Sequence, residues 1–285
     1  QKTWVISPAL VDTQKNVVIV RTDHLSSWQL HYIARGYGVK ETDHFTIVYD
    51  PKAWPEVGPT PTPTGGKVRQ EPVNFANQMG IYLEHAWSQY LKAGFLPRPN
   101  DKKWRAHETY IRTGPPEVLT RSHPNLVYEP PRLLVFIDQN TRESQTVTLT
   151  GSIYLKFDYD SMDQVRHDSA HELFHSFQME SLGAPWYLAR HWWVDATADY
   201  VADKVAWDNL GAMSKVPVDY LREPLTTVDE VHEYDTARFI DYLVQKGVNF
   251  KELWDQSVKS FSNDMVQVLE EHVLKKTATT LHDHY

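Results

Sequence analysis

Two histidines and a glutamate stand at a spacing that suits a metal ion. Residues 171–175 read His-Glu-Leu-Phe-His, which has the form H-E-x-x-H. On a helix, residues four apart share one face with about 5–6 Å between their Cβ atoms, so the imidazoles of His171 and His175 can reach one ion. Glu172 stands beside the first imidazole, where its carboxylate can take a proton from a metal-bound water. Zinc suits this donor set.

The surroundings of the motif strengthen this interpretation. The five letters alone are a weak signal in a chain with 14 histidines, because chance alone produces H-E-x-x-H in roughly a few per cent of shuffled sequences. Ser161 and Gln164 have the S-x-x-Q form of a capping box, and apolar or small residues then recur every four positions up to Gly183. The motif is therefore predicted to lie on a helix, and a following helix offers Asp195 and Asp199 at helical spacing.

The run from Trp192 to Tyr200 reads WWVDATADY. Together with H-E-x-x-H, it resembles the gluzincin (thermolysin-like) zinc metallopeptidases, in which an aromatic-x-x-E-A/G-x-A-x-Y run follows the motif. The third zinc ligand of that family commonly stands 20 residues after the second histidine, a position that Asp195 occupies here. The resemblance covers residues 161–200 and implies a Zn²⁺ ion held by His171, His175 and Asp195.

One letter departs from the family pattern, since Asp195 stands where the family has Glu. Aspartate is one methylene shorter, so its helix must lie about an ångström closer to keep zinc–oxygen distances near 2.0–2.2 Å. The resemblance also implies that Asp199 accepts a hydrogen bond from a zinc-binding imidazole and fixes its orientation. It further implies that Tyr234 or His232, near the start of a later helix, donates to the oxyanion. Tyr187 is a further candidate for that donor.

Two other metallopeptidase families and a third histidine have to be considered. A metzincin would need Gly at the position of Gln178 and His at the position of Ser181, so that family is excluded. The aspzincins, which also use an Asp ligand, stay open as an alternative. His167 shares the helix face of the motif, but it stands two turns before His175, about 12 Å along the axis, which is too far for both to bind one ion together with His171.

Regular elements must place these side chains. Segments rich in β-branched and aromatic residues predict strands, which span 16–21, 44–50, 133–138 and 147–157. Large side chains every three or four residues predict a helix that begins after Asn74 and ends near Gly94. The same periodicity predicts later helices, which span about 189 or 191 to 209, then 233–246, 250–261 and 264–276. Two proline-rich stretches, 54–72 and 114–132, are predicted to be loops.

These elements predict an α+β fold with a zincin-like arrangement. Residues 1–182 would form a strand-rich upper lobe that includes the H-E-x-x-H helix, and residues 183–285 a helical lower lobe. The two lobes together would form one catalytic domain with a cleft between them. Polar and apolar side chains alternate over 147–157, so the polar edge of that strand is expected to bind an extended peptide by strand addition.

Composition excludes several classes of protein. The 285 residues contain no cysteine, so disulfides, thiol nucleophiles and Cys-ligated metals are excluded. A net charge of −8 from 37 acidic and 29 basic residues argues against nucleic-acid binding. No apolar stretch approaches the ~18 residues of a membrane span. The start at Gln1 without a preceding Met, together with the lack of cysteine, leads us to expect a secreted or extracytoplasmic protein.

The sequence thus predicts a zinc metallopeptidase that hydrolyses peptide bonds of proteins or glycoproteins, with Glu172 as the general base. The alternative is a non-catalytic, zincin-shaped module that binds protein or carbohydrate. The intact Glu172 argues against that alternative, since binding alone does not need a carboxylate beside the metal-bound water. Asp195 in place of Glu argues for it. Turnover of a protein substrate distinguishes the two.

Overall fold

The fold is described from a computed structural model. The described residues are 9–12, 17–20, 37–58, 66–95, 133–137, 143–146, 152–211, 226–228, 232–260, 262 and 264–277. The predicted loop over 114–132 lies outside these ranges, as do residues 147–151 of one predicted strand and the ends of several other predicted elements.

Five of the ten strands in the described ranges form a mixed sheet. The strands are β1 Ala9–Asp12, β2 Val17–Val20, β3 Gly38–Glu41, β4 Phe45–Tyr49, β5 Glu56–Val57, β6 Val68–Arg69, β7 Leu133–Ile137, β8 Gln145–Thr146, β9 Ile153–Leu155 and β10 Asp158–Tyr159. The main sheet has the order β3-β4-β7-β9-β8, in which β4, β7 and β9 are parallel and the two outer strands are antiparallel to their neighbours. A smaller sheet has the order β10-β5-β6, and β1 pairs with β2.

The described part of the chain after residue 160 is mainly helical, and one helix, α1, lies earlier. The helices are α1 Pro72–Lys92, α2 Met162–Leu182, α3 Ala184–Ala189, α4 His191–Tyr200, a π-helix Val201–Ala206, α5 His232–Asp235, α6 Ala237–Gln245, α7 Phe250–Lys259 and α8 Met265–Thr277. Helix α2 carries the H-E-x-x-H motif, and α4 carries Asp195 and Asp199. The two helices that the metal hypothesis needs are therefore present.

Three of the four predicted strands are confirmed in the described residues, whereas the fourth is confirmed only in part and a predicted loop is wrong. β2, β4 and β7 lie within predicted strands. The predicted strand 147–157 is confirmed only in part: β9 lies within it, but Thr146, the residue before it, pairs antiparallel with Ile153, which does not fit one continuous strand. The predicted loop 54–72 is wrong as a whole, because β5 and β6 pair within it. Its prolines at 59–63 do not prevent the flanking residues from forming a ladder.

The helices that carry strong local signals begin and end as predicted. Ser161 caps α2, since its Oγ accepts a hydrogen bond from the backbone N–H of Gln164 at 3.1 Å. Gly183, with φ at +78°, follows the last residue of α2. The predicted cap Asn74 is wrong: α1 begins at Pro72, whose fixed φ suits the first position of a helix, and Asn74 donates to the Glu71 side chain instead.

The predicted helix after α2 begins at His191, one of its two predicted starts, and a separate short helix, α3, precedes it. Arg190 separates α3 from α4, and its buried guanidinium donates to the backbone carbonyls of three residues at and just after the end of α7, namely Ser257, Ser260 and Ser262. After Tyr200 the backbone widens into the π-helix, whose last carbonyl, on Ala206, accepts a hydrogen bond from His85 of α1 at 2.8 Å. Likewise, the predicted helix 233–246 is interrupted at Thr236.

The coarse α+β prediction is confirmed, since sheets dominate the first half of the described chain and helices the second. One hydrophobic core contains residues from Phe45 to Leu269, on both sides of the predicted lobe boundary at residue 182. The division into two lobes stays a prediction. No helix in the described ranges has both the length and the apolar character that a membrane span requires.

Candidate metal centre

Helix α2 presents the motif because two residues inside it anchor the helix to the core. Leu173 and Phe174 are fully buried. The ring of Phe174 contacts aromatic rings from three other segments, at centroid distances of 5.2 Å to Tyr90, 5.2 Å to Phe95 and 5.5 Å to Trp254. On the helix surface the flanking motif residues turn away from this contact. The apolar pair thus fixes the direction in which the two imidazoles project.

Three metal-ligating side chains converge at this point. One donor atom each from His171, Glu172 and His175 lies within 4.8 Å of the other two, and all three residues are buried. The Nε2 atoms of the two histidines are 3.0 Å apart. Two nitrogens that each lie about 2.0–2.1 Å from a tetrahedral zinc ion are separated by about 3.3 Å. The observed spacing is therefore close to that of a shared ion.

The imidazole of His171 is held by a carboxylate from α4. Its Nδ1 lies 2.9 Å from Oδ1 of Asp199, and both side chains are buried. A carboxylate accepts, so Nδ1 carries the proton and Nε2 carries the lone pair in the neutral ring. Asp199 thus contacts an imidazole of the motif, and its role in orienting a zinc ligand stays a prediction.

The imidazole of His175 is held by Gln178, which the sequence analysis did not select. Its Nδ1 lies 2.7 Å from Oε1 of Gln178, and the amide nitrogen of Gln178 donates to Val194 O at 2.7 Å and to the Thr197 hydroxyl at 2.8 Å. These two acceptors on α4 fix which end of the amide is the oxygen. The available signal was the spacing: Gln178 stands three residues after His175 on one helix face.

These hydrogen bonds limit what can lie between the Nε2 atoms of the two imidazoles. With both Nδ1 atoms donating, the Nε2 lone pairs of His171 and His175 face each other across 3.0 Å. Two lone pairs at that distance repel unless a proton or a metal cation lies between them. The donor set and its orientation therefore fit a divalent cation such as zinc.

Asp195, the predicted third ligand, reaches only part of this group. Its Oδ1 lies 3.4 Å from Nε2 of His175, which matches the separation of about 3.4 Å between a nitrogen and an oxygen on one tetrahedral zinc ion. Its Oδ2 lies 3.0 Å from Nδ1 of His191. Asp195 does not belong to the three-residue donor group of His171, Glu172 and His175. Its role as a ligand stays a prediction.

Charges around the two rings favour a cation. Burial lowers the pKa of His175, but the carboxylates of Asp195 and Glu172 outweigh it and raise that pKa to about 9. Burial raises the pKa of Asp195, but His175 and His191 lower it by more than burial raises it, so the carboxylate stays ionised. The site thus carries negative charge in its walls and stabilises positive charge at its centre.

Glu172 is fixed by the outer strand of the main sheet. The hydroxyl of Thr146, in β8, lies 2.8 Å from both the backbone oxygen and Oε2 of Glu172. Burial raises the pKa of Glu172, while the two histidines and Thr146 oppose that rise. A carboxylate with a raised pKa is a better proton acceptor at neutral pH. Thr146 was not found from the sequence, because β8 was not predicted as a separate strand.

Two tyrosines flank the donor group. The ring of Tyr234 lies 5.8 Å from that of His171, and the ring of Tyr187 lies 5.9 Å from that of His175. Burial and the carboxylates of Asp195 and Glu172 raise the pKa of both phenols, so both stay protonated and can donate. His232 is the first residue of α5, and its side chain lies outside the described part of the structure.

His167 takes no place in the donor group. Its ring lies 6.0 Å from that of His171, and its Nε2 lies 3.5 Å from Asp199 Oδ1, beyond a well-formed hydrogen bond. The donor group contains His171, Glu172 and His175 and leaves His167 out. This agrees with the expectation from its distance along the helix.

Comparison with known proteins adds no relative. No protein-family model matches this chain, and no curated protein or solved structure matches it. The likeness to gluzincins therefore rests on the motifs in residues 161–200. Function has to be inferred from the geometry of the site.

Removing the acceptor on Gln178 is expected to weaken zinc binding. Gln178→Leu keeps the bulk of the side chain but frees the imidazole of His175 to rotate, so the zinc dissociation constant should rise by roughly 10–100-fold. Gln178→Glu keeps an acceptor for that imidazole while it loses the bonds to Val194 and Thr197. It should retain zinc affinity and lose thermal stability. Titration against a chromophoric chelator measures the affinity; tight binding in the Leu variant would contradict the role of Gln178.

Proposed function

We propose that this chain is a zinc-dependent peptidase of the gluzincin kind, with a zincin-like arrangement of sheet and helices. The observation that supports it is the pair of imidazoles whose Nδ1 atoms are held by Asp199 and Gln178 and whose Nε2 atoms lie 3.0 Å apart. A buried Glu172 beside that pair adds the proton acceptor that hydrolysis requires.

The proposed mechanism divides the work among named side chains. His171, His175 and Asp195 would hold Zn²⁺, which when bound lowers the pKa of a water molecule towards about 7 and polarises a carbonyl group. Glu172 accepts the proton of the attacking water and passes it to the leaving amine. Thr146 keeps the Glu172 carboxylate in place by its hydrogen bond to Oε2, which leaves the other oxygen to accept a proton.

The proposed substrate is an extended peptide segment of a protein or glycoprotein. Among the described strands, β8 lies at the edge of the main sheet, and we propose that the peptide adds to that edge. Thr146 of that edge strand contacts Glu172 directly, so a peptide bound along β8 would lie beside the proposed proton acceptor. Recognition by strand addition uses main-chain hydrogen bonds and therefore demands little of the side chains.

Turnover tests the proposal. The protein, loaded with zinc, is incubated with a mixture of unfolded proteins and glycoproteins, and new N-termini are identified by mass spectrometry. New N-termini that disappear when a zinc chelator is added would support the peptidase. Binding of proteins or glycans without any new N-terminus would favour the non-catalytic binding module instead.

The two carboxylates of α4 are expected to differ in their effect on zinc binding. Asp199→Ala frees one imidazole and should weaken zinc affinity by roughly 10–100-fold. Asp195→Ala removes a proposed ligand and should weaken it substantially more. Both variants are measured by the same chelator competition. Equal losses, or a larger loss for Asp199→Ala, would mean that the ligand is not Asp195.

A further inference from the structure

His191 forms an unusual pair with the predicted third ligand. The two residues stand four apart on α4, and Nδ1 of His191 lies 3.0 Å from Oδ2 of Asp195. The side chain of His191 is 59% exposed, whereas that of Asp195 is only 10% exposed. An exposed histidine thus contacts a buried carboxylate that also faces the imidazole of His175.

The backbone next to His191 is held by hydrogen bonds of its neighbour Arg190. His191 is the first residue of α4 and directly follows Arg190, whose guanidinium donates to the carbonyls of Ser257, Ser260 and Ser262. Arg190 is almost completely buried. Because three hydrogen bonds hold the break between α3 and α4, the first turn of α4 has little freedom, and the imidazole of His191 starts from a defined place.

The two oxygens of Asp195 have different neighbours. Oδ1 lies at a ligand-like 3.4 Å from Nε2 of His175. Oδ2 is shielded from solvent, and although His191 is 3.0 Å away, the contact is not aligned as a good hydrogen bond. A buried carboxylate oxygen without an aligned donor is costly. A small rotation of the exposed His191 ring would supply that donor.

We infer that His191 is a positioning residue for the proposed zinc site. It would hold Oδ2 of Asp195 so that Oδ1 stays directed at the metal. The inference rests on the proposed function. An aspartate is short and can turn about its last side-chain bond, so an anchor on one oxygen limits the orientations of the other. The anchor needs only an N–H at Nδ1, which a neutral imidazole can offer in one of its tautomers.

This role explains how an aspartate can replace the glutamate of the family pattern. The shorter side chain has less reach, so its carboxylate must be held in the productive orientation from outside. His191 sits one helical turn before Asp195, which is the spacing at which side chains on a helix meet. A residue exposed to this degree contributes little to the packing of the core, so its loss should affect the metal site more than the fold.

The experiment compares zinc and cobalt binding in the wild type with two substitutions. His191→Ala removes the donor, and the zinc dissociation constant should rise by roughly 10–100-fold. His191→Asn places an amide N–H near the position of Nδ1 and should restore most of the affinity. The visible spectrum of the cobalt-loaded protein reports the ligand geometry directly. It should change in the Ala variant and return in the Asn variant, with the melting temperature of the metal-free proteins unchanged.

A second histidine–carboxylate pair provides the matched control. Nδ1 of His44 lies 2.7 Å from Oε2 of Glu84, outside the metal site, and the ring is 42% exposed. His44→Ala should leave zinc affinity and the cobalt spectrum unchanged. If His191→Ala kept the zinc affinity of the wild type, or if His191→Asn lost as much affinity as His191→Ala, the inference about His191 would be overturned but the proposed function would not. A wild-type protein that takes up no zinc would overturn the proposed function as well.

Discussion

Replacing Glu172 with glutamine is expected to abolish hydrolysis while zinc stays bound. Glutamine keeps the shape of the side chain and an oxygen that can accept from Thr146, but it cannot take the proton of the attacking water. Since general base catalysis typically contributes about 10²–10⁴-fold, kcat should fall by that factor. Zinc content, measured by elemental analysis, should not change. The measurement therefore separates the chemical step from metal binding.

The control for this change lies on the same helix. Asp163, in the first turn of α2, has a largely exposed side chain that pairs with Arg166. Asp163→Asn makes the same carboxylate-to-amide change outside the site and should retain full activity. Glu172→Gln with more than about a tenth of wild-type kcat would show that another group is the base.

Replacing Tyr234 with phenylalanine is expected to lower kcat by roughly 10²–10³-fold with little change in KM or zinc content. Its ring lies 5.8 Å from the ring of His171, tilted by 36°, and burial together with nearby carboxylates raises the pKa of its phenol, which therefore stays protonated. A phenol O–H that meets the oxyanion only in the transition state stabilises that state without adding charge to the resting site. Steady-state kinetics on one peptide substrate gives both constants.

Tyr187 is the natural comparison, because its ring lies 5.9 Å from that of the other histidine, His175. Tyr187→Phe should have near-normal turnover if Tyr234 is the donor. A selective loss of kcat in Tyr187→Phe, with Tyr234→Phe unaffected, would reverse the assignment. If both phenylalanine variants are active, His232→Ala tests the other predicted donor at the start of α5.

The motif helix could be predicted because its signals are local. Ser161 caps the helix through the backbone N–H of Gln164, and Gly183 ends it with a positive φ that glycine adopts easily. The four-residue spacing of His171 and His175 then fixes their common face without knowledge of any other segment. The coarse α+β class follows in the same way from residue patterns within single elements.

The partners of the motif could not be predicted, because they depend on contacts between distant segments. Thr146 reaches Glu172 from β8, which pairs antiparallel with β9, whereas the alternating pattern over 147–157 predicts one continuous strand. The break at Arg190 depends on carbonyl acceptors about 70 residues later in the chain. The spacing of Gln178 from His175 is compatible with a contact on one helix face, but the spacing alone does not show that the amide accepts from the imidazole.

The central claim is that His171 and His175 hold one metal ion between their Nε2 atoms. The most direct measurement is the zinc content per chain after equilibration with zinc and removal of the excess, for the wild type and for a variant with both His171→Ala and His175→Ala. One zinc ion per wild-type chain and none in the double variant are expected. A wild type without zinc, or a double variant that retains the same amount, would contradict the claim.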